Sequence, residues 1–292
     1  MHTEMSSFLA GVWENRDVLM YGAADPTGDT VEDRVYAMYA PMHGAGNTGI
    51  TKPAYNVLVN GIVAPPNSGW VVNRRDWAYV WDNNSAASSN AAYRIYLNAK
   101  LPTAAALFQR IMGLAVRPPQ PVHPAPNVLA RPLATAYMAL ANRGIYGDVV
   151  AAMKIAFANE AFNGRPDIIV IYINPEGGKQ IAAHLARRIS GFGDLFRNDI
   201  PPMTERISWG VSIGPEVSGA QWNVGTSFGM VRTNLIAWAM IEAVTGHATN
   251  NGTHDVPLAQ PRHGSPNRLT FFQLVTAKFA QYNIDVNAPW AG

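Results

Sequence analysis

An α+β fold built on an antiparallel sheet is what three features of the sequence predict. Two stretches, Arg94-Ile95-Tyr96-Leu97-Asn98 and Met153-Lys154-Ile155-Ala156-Phe157-Ala158, alternate apolar with polar or small residues, the two-residue period of a strand that buries one face. The run Ile168-Ile169-Val170-Ile171-Tyr172-Ile173 is apolar throughout and so belongs at the centre of a sheet. Longer segments with apolar residues at helical spacing surround these strands, which makes the class mixed. At 292 residues and 48% hydrophobic composition the chain can bury a real core, as one large domain or as two packed lobes. We take 1–292 as a single domain, with 1–69 as an N-terminal lobe and 245–292 as a C-terminal helical extension.

Taken in order, Ser6 to Tyr21 carries Phe8, Leu9, Val12, Trp13 and Leu19 and reads as a short helix, closed by a turn at Asp25 to Asp29. Arg34 to Tyr39 is β-branched and aromatic and reads as a first strand. Met42 to Gly69 is rich in Gly, Asn and Pro, a long loop with a short strand at Tyr55 to Val59. Trp70 to Val72 and Trp77 to Trp81 form an extended pair, and Asp82 to Asn90 is a polar connection into the Arg94 strand, giving a hairpin with a generous tip. Pro102 opens a helix over Ala104 to Leu114. Six prolines between Arg117 and Pro132 exclude regular structure there, and a helix over Leu133 to Arg143 follows. After the Lys154 strand, Asn163 to Asp167 turns into the central strand, and Lys179 to Ser190 is helical with Ile181, Leu185 and Ile189 inward. Gly191 to Ser227 reads as loop-rich. Helices over Ser227 to Val244 and Leu269 to Tyr282 complete the chain.

Composition narrows the function. Charged residues make up 14% and the net charge is +2, too weak a field to argue for nucleic acid or a membrane surface. The chain has no cysteine, which excludes disulfides and thiolate ligands and fits a cytosolic protein. No export signal opens it, and no run of 18 or more apolar residues occurs, so we expect a soluble, cytoplasmic protein. Walker, Rossmann, His-Glu-x-x-His and Gly-x-Ser-x-Gly motifs are all missing. His247, His254 and His263 are too widely spaced for a helical metal motif, and we assign no metal.

What remains is cationic: Arg94, Lys154, Arg165 and Arg232, joined by Tyr96 and Asp167. An arginine fork binds phosphate through two hydrogen bonds, and a lysine kept dry beside other cations can lose its proton near neutral pH. Those are the needs of phosphate elimination. For any one arginine taken alone, the ordinary reading is a solvated surface group or a carboxylate partner. Among five lysines, Lys52 precedes Pro53 in an irregular loop, Lys100 follows a strand end, Lys179 opens a helix, and Lys278 lies in the last helix with a solvated head. Only Lys154 is central in a strand and faces small residues.

The stretches Arg94-Ile95-Tyr96-Leu97-Asn98, Met153-Lys154-Ile155 through Gly164-Arg165-Pro166-Asp167, and Ser227-Phe228-Gly229-Met230-Val231-Arg232 resemble, in order and spacing, the HopA-type effector domain of plant-pathogenic Pseudomonas. The resemblance spans about Trp70 to Val244. Such domains occur in actinobacterial gene clusters beside a kinase-like protein, in routes to class V lanthipeptides and thioviridamide-like peptides. The family is in turn distantly similar to the phosphothreonine lyases, which carry Lys-x-His on one strand and a base lysine on another.

The resemblance implies that Arg94-x-Tyr96 stands at Lys-x-His, with Tyr96 as the acid, Lys154 as the base and Arg165 as a phosphate ligand. Arg94 and Arg232 are expected on the same phosphate, with Asn98, Asp167 and His43 supporting. The implied activity is elimination of phosphate from phosphoserine or phosphothreonine of a precursor peptide with its leader, with a kinase partner and no cofactor. The competing expectation is a non-catalytic module that binds a peptide or a host protein.

Overall fold

The computed structural model describes residues 3–21, 30–39, 49–64, 70–75, 77–82, 91–115, 149–174, 178–216, 228–246 and 267–289. Helices pack on an antiparallel sheet, the α+β class expected from sequence. Contacts divide the chain into two compact units. One comprises Met1–Met42, Pro201–Glu205 and Val217–Gly292, and the other His43–Ile200 and Arg206–Glu216.

The first unit is helical among its described residues. Helix α1 (Thr3–Glu14) buries Met5, Phe8, Leu9 and Val12, a stripe at i, i+3, i+4 and i+7. Asn15 separates it from α2 (Arg16–Tyr21), so the single N-terminal helix read from sequence is broken into two. Arg34 to Tyr39 is not a strand but part of α3 (Val31–Tyr39). Thr30 and Asp33 cap that helix reciprocally: Asp33 N–H donates to Thr30 Oγ1 at 3.2 Å, and Thr30 N–H donates to Asp33 Oδ2 at 3.1 Å. Val35 and Tyr39, four apart, are its buried residues.

Helix α8 (Phe228–Thr245) is buried nearly all round, as expected of a helix apolar on every face. Gly229 lets Tyr39 of α3 close onto it, since an added Cβ would stand 2.6 Å from that ring. In α9 (Arg268–Gln281), Phe271 stacks on Trp13 with ring centroids 5.3 Å apart. Lys278, expected to be solvated, is 5% exposed and its Nζ pairs with Glu242 of α8 at 2.9 Å.

The second unit holds a seven-stranded sheet of β1 (Trp70–Arg74), β2 (Trp77–Asp82), β3 (Tyr93–Leu97), β4 (Val150–Ala156), β5 (Ile169–Ile173), β6 (Glu205–Ser208) and β7 (Val211–Pro215), in the order β1-β2-β4-β5-β3-β7-β6. Strand β5 is the middle strand and every residue in it is buried, as its unbroken apolar run predicts. The β1–β2 hairpin forms as read, but β3 does not join it. Strand β3 pairs with β5 and β7, while β4 takes the place beside β2. Strands β6 and β7 fall inside the stretch read as loop, where Gly210 (φ +63) turns one into the other.

Tyr55 to Val59 is helical too, within α4 (Lys52–Asn60). Thr51 caps it by accepting from Ala54 N–H, and Pro53 sits in its first turn, where a missing N–H costs nothing. The buried Tyr55 and Val59 are again four apart. Tyr55 donates its hydroxyl to the Ala156 carbonyl at 2.9 Å, and burial, against an opposing pull from Arg197, pushes that hydroxyl above its ordinary range. Helices α4, α5 (Leu101–Ala115) and α7 (Gly178–Ser190) share one apolar core with the inward residues of the sheet. Between them in sequence lies the short α6 (Ala158–Ala161). The turn at Asp25 to Asp29, the proline-rich stretch and the helix expected at Leu133 to Arg143 lie outside the described residues.

Two substitutions test this packing. Lys278→Ala should cost about 1–3 kcal/mol in denaturant unfolding because it strands Glu242, whereas the exposed Lys100→Ala should cost under about 0.5 kcal/mol. In Gly210→Ala the new Cβ would press into the Arg197 carbonyl and stand 2.8 Å from Phe196 Cβ at a left-handed φ. It should lower stability by about 2 kcal/mol or more in the same measurement.

Candidate functional site

Directly opposed residues of an antiparallel sheet share a face, so the register sorts every strand residue to one side or the other. One face carries Ala78, Val80, Met153, Ile155, Ile169, Ile171, Ile95, Leu97, Val211 and Ile213, all members of the core beneath the helices. On the opposite face one row runs Tyr79, Lys154, Val170, Tyr96, Ser212. The next runs Trp81, Ala152, Tyr172, Arg94, Gly214. Lys154 and Tyr96 thus stand in one row with a single strand between them, about 10 Å between Cα atoms at the usual strand spacing.

Arg94 is 7% exposed, and Tyr96 and Asn98 are also buried, so the polar face of β3 is closed to bulk water. Its guanidinium lies 4.7 Å from the centre of the Tyr172 ring and its Nε donates to Glu216 Oε2. Burial disfavours its charge, but Tyr172, Tyr96 and Glu216 together outweigh that and hold the guanidinium above even its ordinary range. Arg94 is therefore a fixed positive charge beside Tyr96 at any working pH.

Lys154 is half-buried, with Nζ 4.1 Å from the centre of the Trp77 ring. Arg165 shares that ring, its Cζ 5.1 Å away. The Arg165 fork is occupied: Nε and Nη2 donate to the two oxygens of Asp167 at 2.9 and 3.0 Å, and Nη1 donates to Glu160 at 2.9 Å. This clamp closes the turn that Gly164 (φ +82) begins after α6. Aromatic contacts continue along the face, from Tyr79 to Trp81 at 5.6 Å and to Tyr172 at 5.8 Å.

Asn98 extends the Arg94–Tyr96 face and donates its amide to the Asp199 carbonyl at 3.0 Å. Its Oδ1 and the hydroxyl of Ser212, the cross-strand neighbour of Tyr96, are buried without a hydrogen-bond partner. Arg232 belongs to the helical unit. Its Nε and Nη2 both donate to the Pro289 carbonyl, at 3.1 and 2.7 Å, and its Cζ sits 3.6 Å from the Phe228 ring. His43, His247, His254 and His263 lie outside the described residues. Among those described, no group of His, Asp and Glu is arranged to hold a metal, and no helix is long and apolar enough to cross a membrane.

The structure thus sets Arg94, Tyr96 and Lys154 on one face, with Arg165 joined to Lys154 through Trp77. Sequence reasoning missed the carboxylates that occupy the arginines: Glu216 lies 122 positions from Arg94. Glu160 lay closer to hand, five residues before Arg165. The β2 aromatics were also missed, although Trp77, Tyr79 and Trp81 stand at the period of a strand face.

An α+β protein with this two-faced sheet is the class that fold and site define. Residues 127–290, more than half of the chain, match the HopA1 effector protein family, and the chain belongs to that family. The fold is similar to that of the effector protein from Pseudomonas syringae pv. syringae strain 61, with TM-score 0.58 and 13% identity over 99% of this chain and 98% of that one. It is likewise similar to the effector protein from Pseudomonas syringae pv. tomato strain DC3000, with TM-score 0.55 and 12% identity over 97% and 98%. No curated protein matches the chain.

If the Arg165 clamp serves the fold, Asp167→Ala should destabilise the protein by about 3 kcal/mol in denaturant unfolding by leaving a buried guanidinium with one carboxylate fewer. The double variant with Arg165→Met should recover much of that loss. Equal loss in single and double variants would remove the pair from the account of stability.

Proposed function

We propose that the protein is a lyase that eliminates phosphate from phosphoserine or phosphothreonine of a ribosomally made precursor peptide, working with a separate kinase and without a cofactor. The observation that carries this reading is the row Lys154–Val170–Tyr96 with Arg94 beside it, which supplies a base, an acid and a fixed positive charge on one face. The neutral Lys154 amine takes the α-proton, and the C–H electron pair becomes the Cα–Cβ double bond. The Cβ–O bond breaks, and the phosphate leaves with that electron pair, its bridging oxygen protonated by Tyr96. Arg94 offsets the charge that builds on the leaving group. Dehydroalanine or dehydrobutyrine remains.

A second reading, a non-catalytic module for an acidic peptide or a host protein, is favoured by one observation: Arg94, Arg165 and Arg232 all have intramolecular acceptors. The two readings part on a single assay. A synthetic phosphothreonine peptide bearing its leader, incubated with the protein and its kinase partner, should lose phosphoric acid by mass spectrometry. Lys154→Ala should abolish that loss with the fold intact, and Lys154→Arg should fail equally because guanidinium stays protonated. Arg94→Met should slow it by about 10²-fold. Near-normal turnover in Lys154→Ala would discard the assignment, whereas near-normal turnover in Tyr96→Phe would remove only the acid.

A further inference from the structure

Alanines frame Lys154 on its face of the sheet. Along β4, Ala152 and Ala156 flank it, and across the β2 pairing they stand opposite Trp81 and Trp77, while Lys154 itself stands opposite Tyr79. A methyl group opposite an indole leaves room above the alanine, so the lysine stem can lie diagonally toward either tryptophan. It takes the Trp77 side, with Nζ 4.1 Å from the centre of that ring. Arg165 reaches the same ring from the turn after α6, its Cζ 5.1 Å from the centre, so the two charges are no more than about 9 Å apart. Two bare cations would compete for one ring. Here every nitrogen of the Arg165 fork donates to a carboxylate oxygen, Nε and Nη2 to Asp167 and Nη1 to Glu160, and the charge of Arg165 is offset locally.

Resting on the elimination reading of this site, we infer that Trp77 is a positioning residue that seats the Lys154 amine, and that Arg165 acts through it, bracing the indole and not gripping the phosphate. The shared ring carries the first half. A lysine head on a flexible stem presents its lone pair to the α-proton in only a fraction of its conformers, and a ring that restrains the head raises that fraction. The gain falls on kcat, because the restraint concerns the base and leaves the grip on the peptide as it was. The clamp carries the second half. An arginine grips phosphate in parallel through two adjacent N–H groups, and in Arg165 the Nε–Nη2 edge is the one that Asp167 holds with both oxygens. Arg165 is 8% exposed and Asp167 7%, so a phosphate arriving there would have to displace a buried carboxylate. The Glu160–Arg165–Asp167 clamp thereby fixes a ring, and the ring fixes the base.

Two readouts on the whole chain test this. In the first, the lysines are dimethylated with carbon-13 formaldehyde, which keeps each amine cationic, and the methyl signal missing from Lys154→Arg identifies Lys154. In the NMR spectrum that signal should lie upfield of those of the other lysines through the ring current of Trp77. It should return to their position in Trp77→Leu and stay in place in Trp81→Leu. In the second readout, elimination from the phosphothreonine peptide is followed against peptide concentration with the kinase partner present. Trp77→Leu should lower kcat about tenfold at unchanged KM, and Trp77→Phe should restore most of the loss. The double variant Arg165→Met, Asp167→Ala should also lower kcat, but should change nothing further when added to Trp77→Leu. A Lys154 signal among those of the other lysines in the wild-type protein overturns the seat. Equal losses of kcat in Trp77→Leu and Trp81→Leu overturn it too, since they would mark general packing of β2 on β4. A KM raised by the Arg165 double variant, and raised again in the Trp77→Leu background, overturns the bracing role and returns Arg165 to the phosphate. The lyase reading fails separately: an upfield Lys154 signal that depends on Trp77, with no elimination by the wild-type protein, keeps the seat and discards the chemistry it serves.

Discussion

Side-chain alternation across the β2-β4-β5-β3-β7 sheet is the constraint on which the rest of this unit depends. One parity of residues, from Ala78 on β2 to Ile213 on β7, is aliphatic and seals against α4, α5 and α7. The other parity is thereby relieved of any duty to that core and can carry Lys154, Tyr96 and Arg94. A slip of one residue in any strand would exchange the two sets, burying charge beneath the helices, so core packing and site geometry are specified by the same pairing. Strand β5 shows the coupling most clearly, since Ile169, Ile171 and Ile173 serve the core while Val170 stands between Lys154 and Tyr96 and Tyr172 braces Arg94.

Electrostatics on the polar face follows from how little water reaches it. Arg94 loses hydration on burial and regains it in kind from Glu216 and the face of the Tyr172 ring. Arg165 is held more completely still, by two carboxylates. Charges fixed this way are preorganised, costing nothing to orient when charge develops nearby, but they are also less able to travel to a ligand. Lys154 differs in exposure, since it is half-buried where Arg94 and Arg165 are buried, with its head against the Trp77 ring that Arg165 shares.

The parts of the fold legible in the sequence are those whose pattern outlasts a few residues. The buried run of β5, the alternation in β3 and β4 and the long apolar periods of α8 and α9 all survive into the structure. Arg34 to Tyr39 and Tyr55 to Val59 were misread because an aliphatic and aromatic segment of five or six residues satisfies a strand template as well as a helix one. Only the caps at Thr30 and Thr51 decide between them. Strands β6 and β7 were hidden by their brevity and by Gly210 and Gly214. Of the site, the parity of Arg94, Tyr96 and Lys154 could be read from each strand by itself. Which strands lie side by side could not, since β3 pairs with β5 and β7 across more than seventy residues each. The partner of Arg94 depends on that pairing and was invisible for the same reason, whereas Glu160 and the aromatics of β2 lay within local reach in the sequence and were passed over.

The central claim, that the Lys154–Tyr96 row performs elimination, is tested most directly with a phosphothreonine peptide deuterated at the α-carbon and analysed by mass spectrometry after exposure to the protein and its kinase partner. Elimination predicts a product that has lost both the phosphate and the deuterium. A product that has lost phosphate but kept its deuterium and regained threonine would mean hydrolysis, and a peptide bound yet unchanged would mean a binding module; either result would contradict the account.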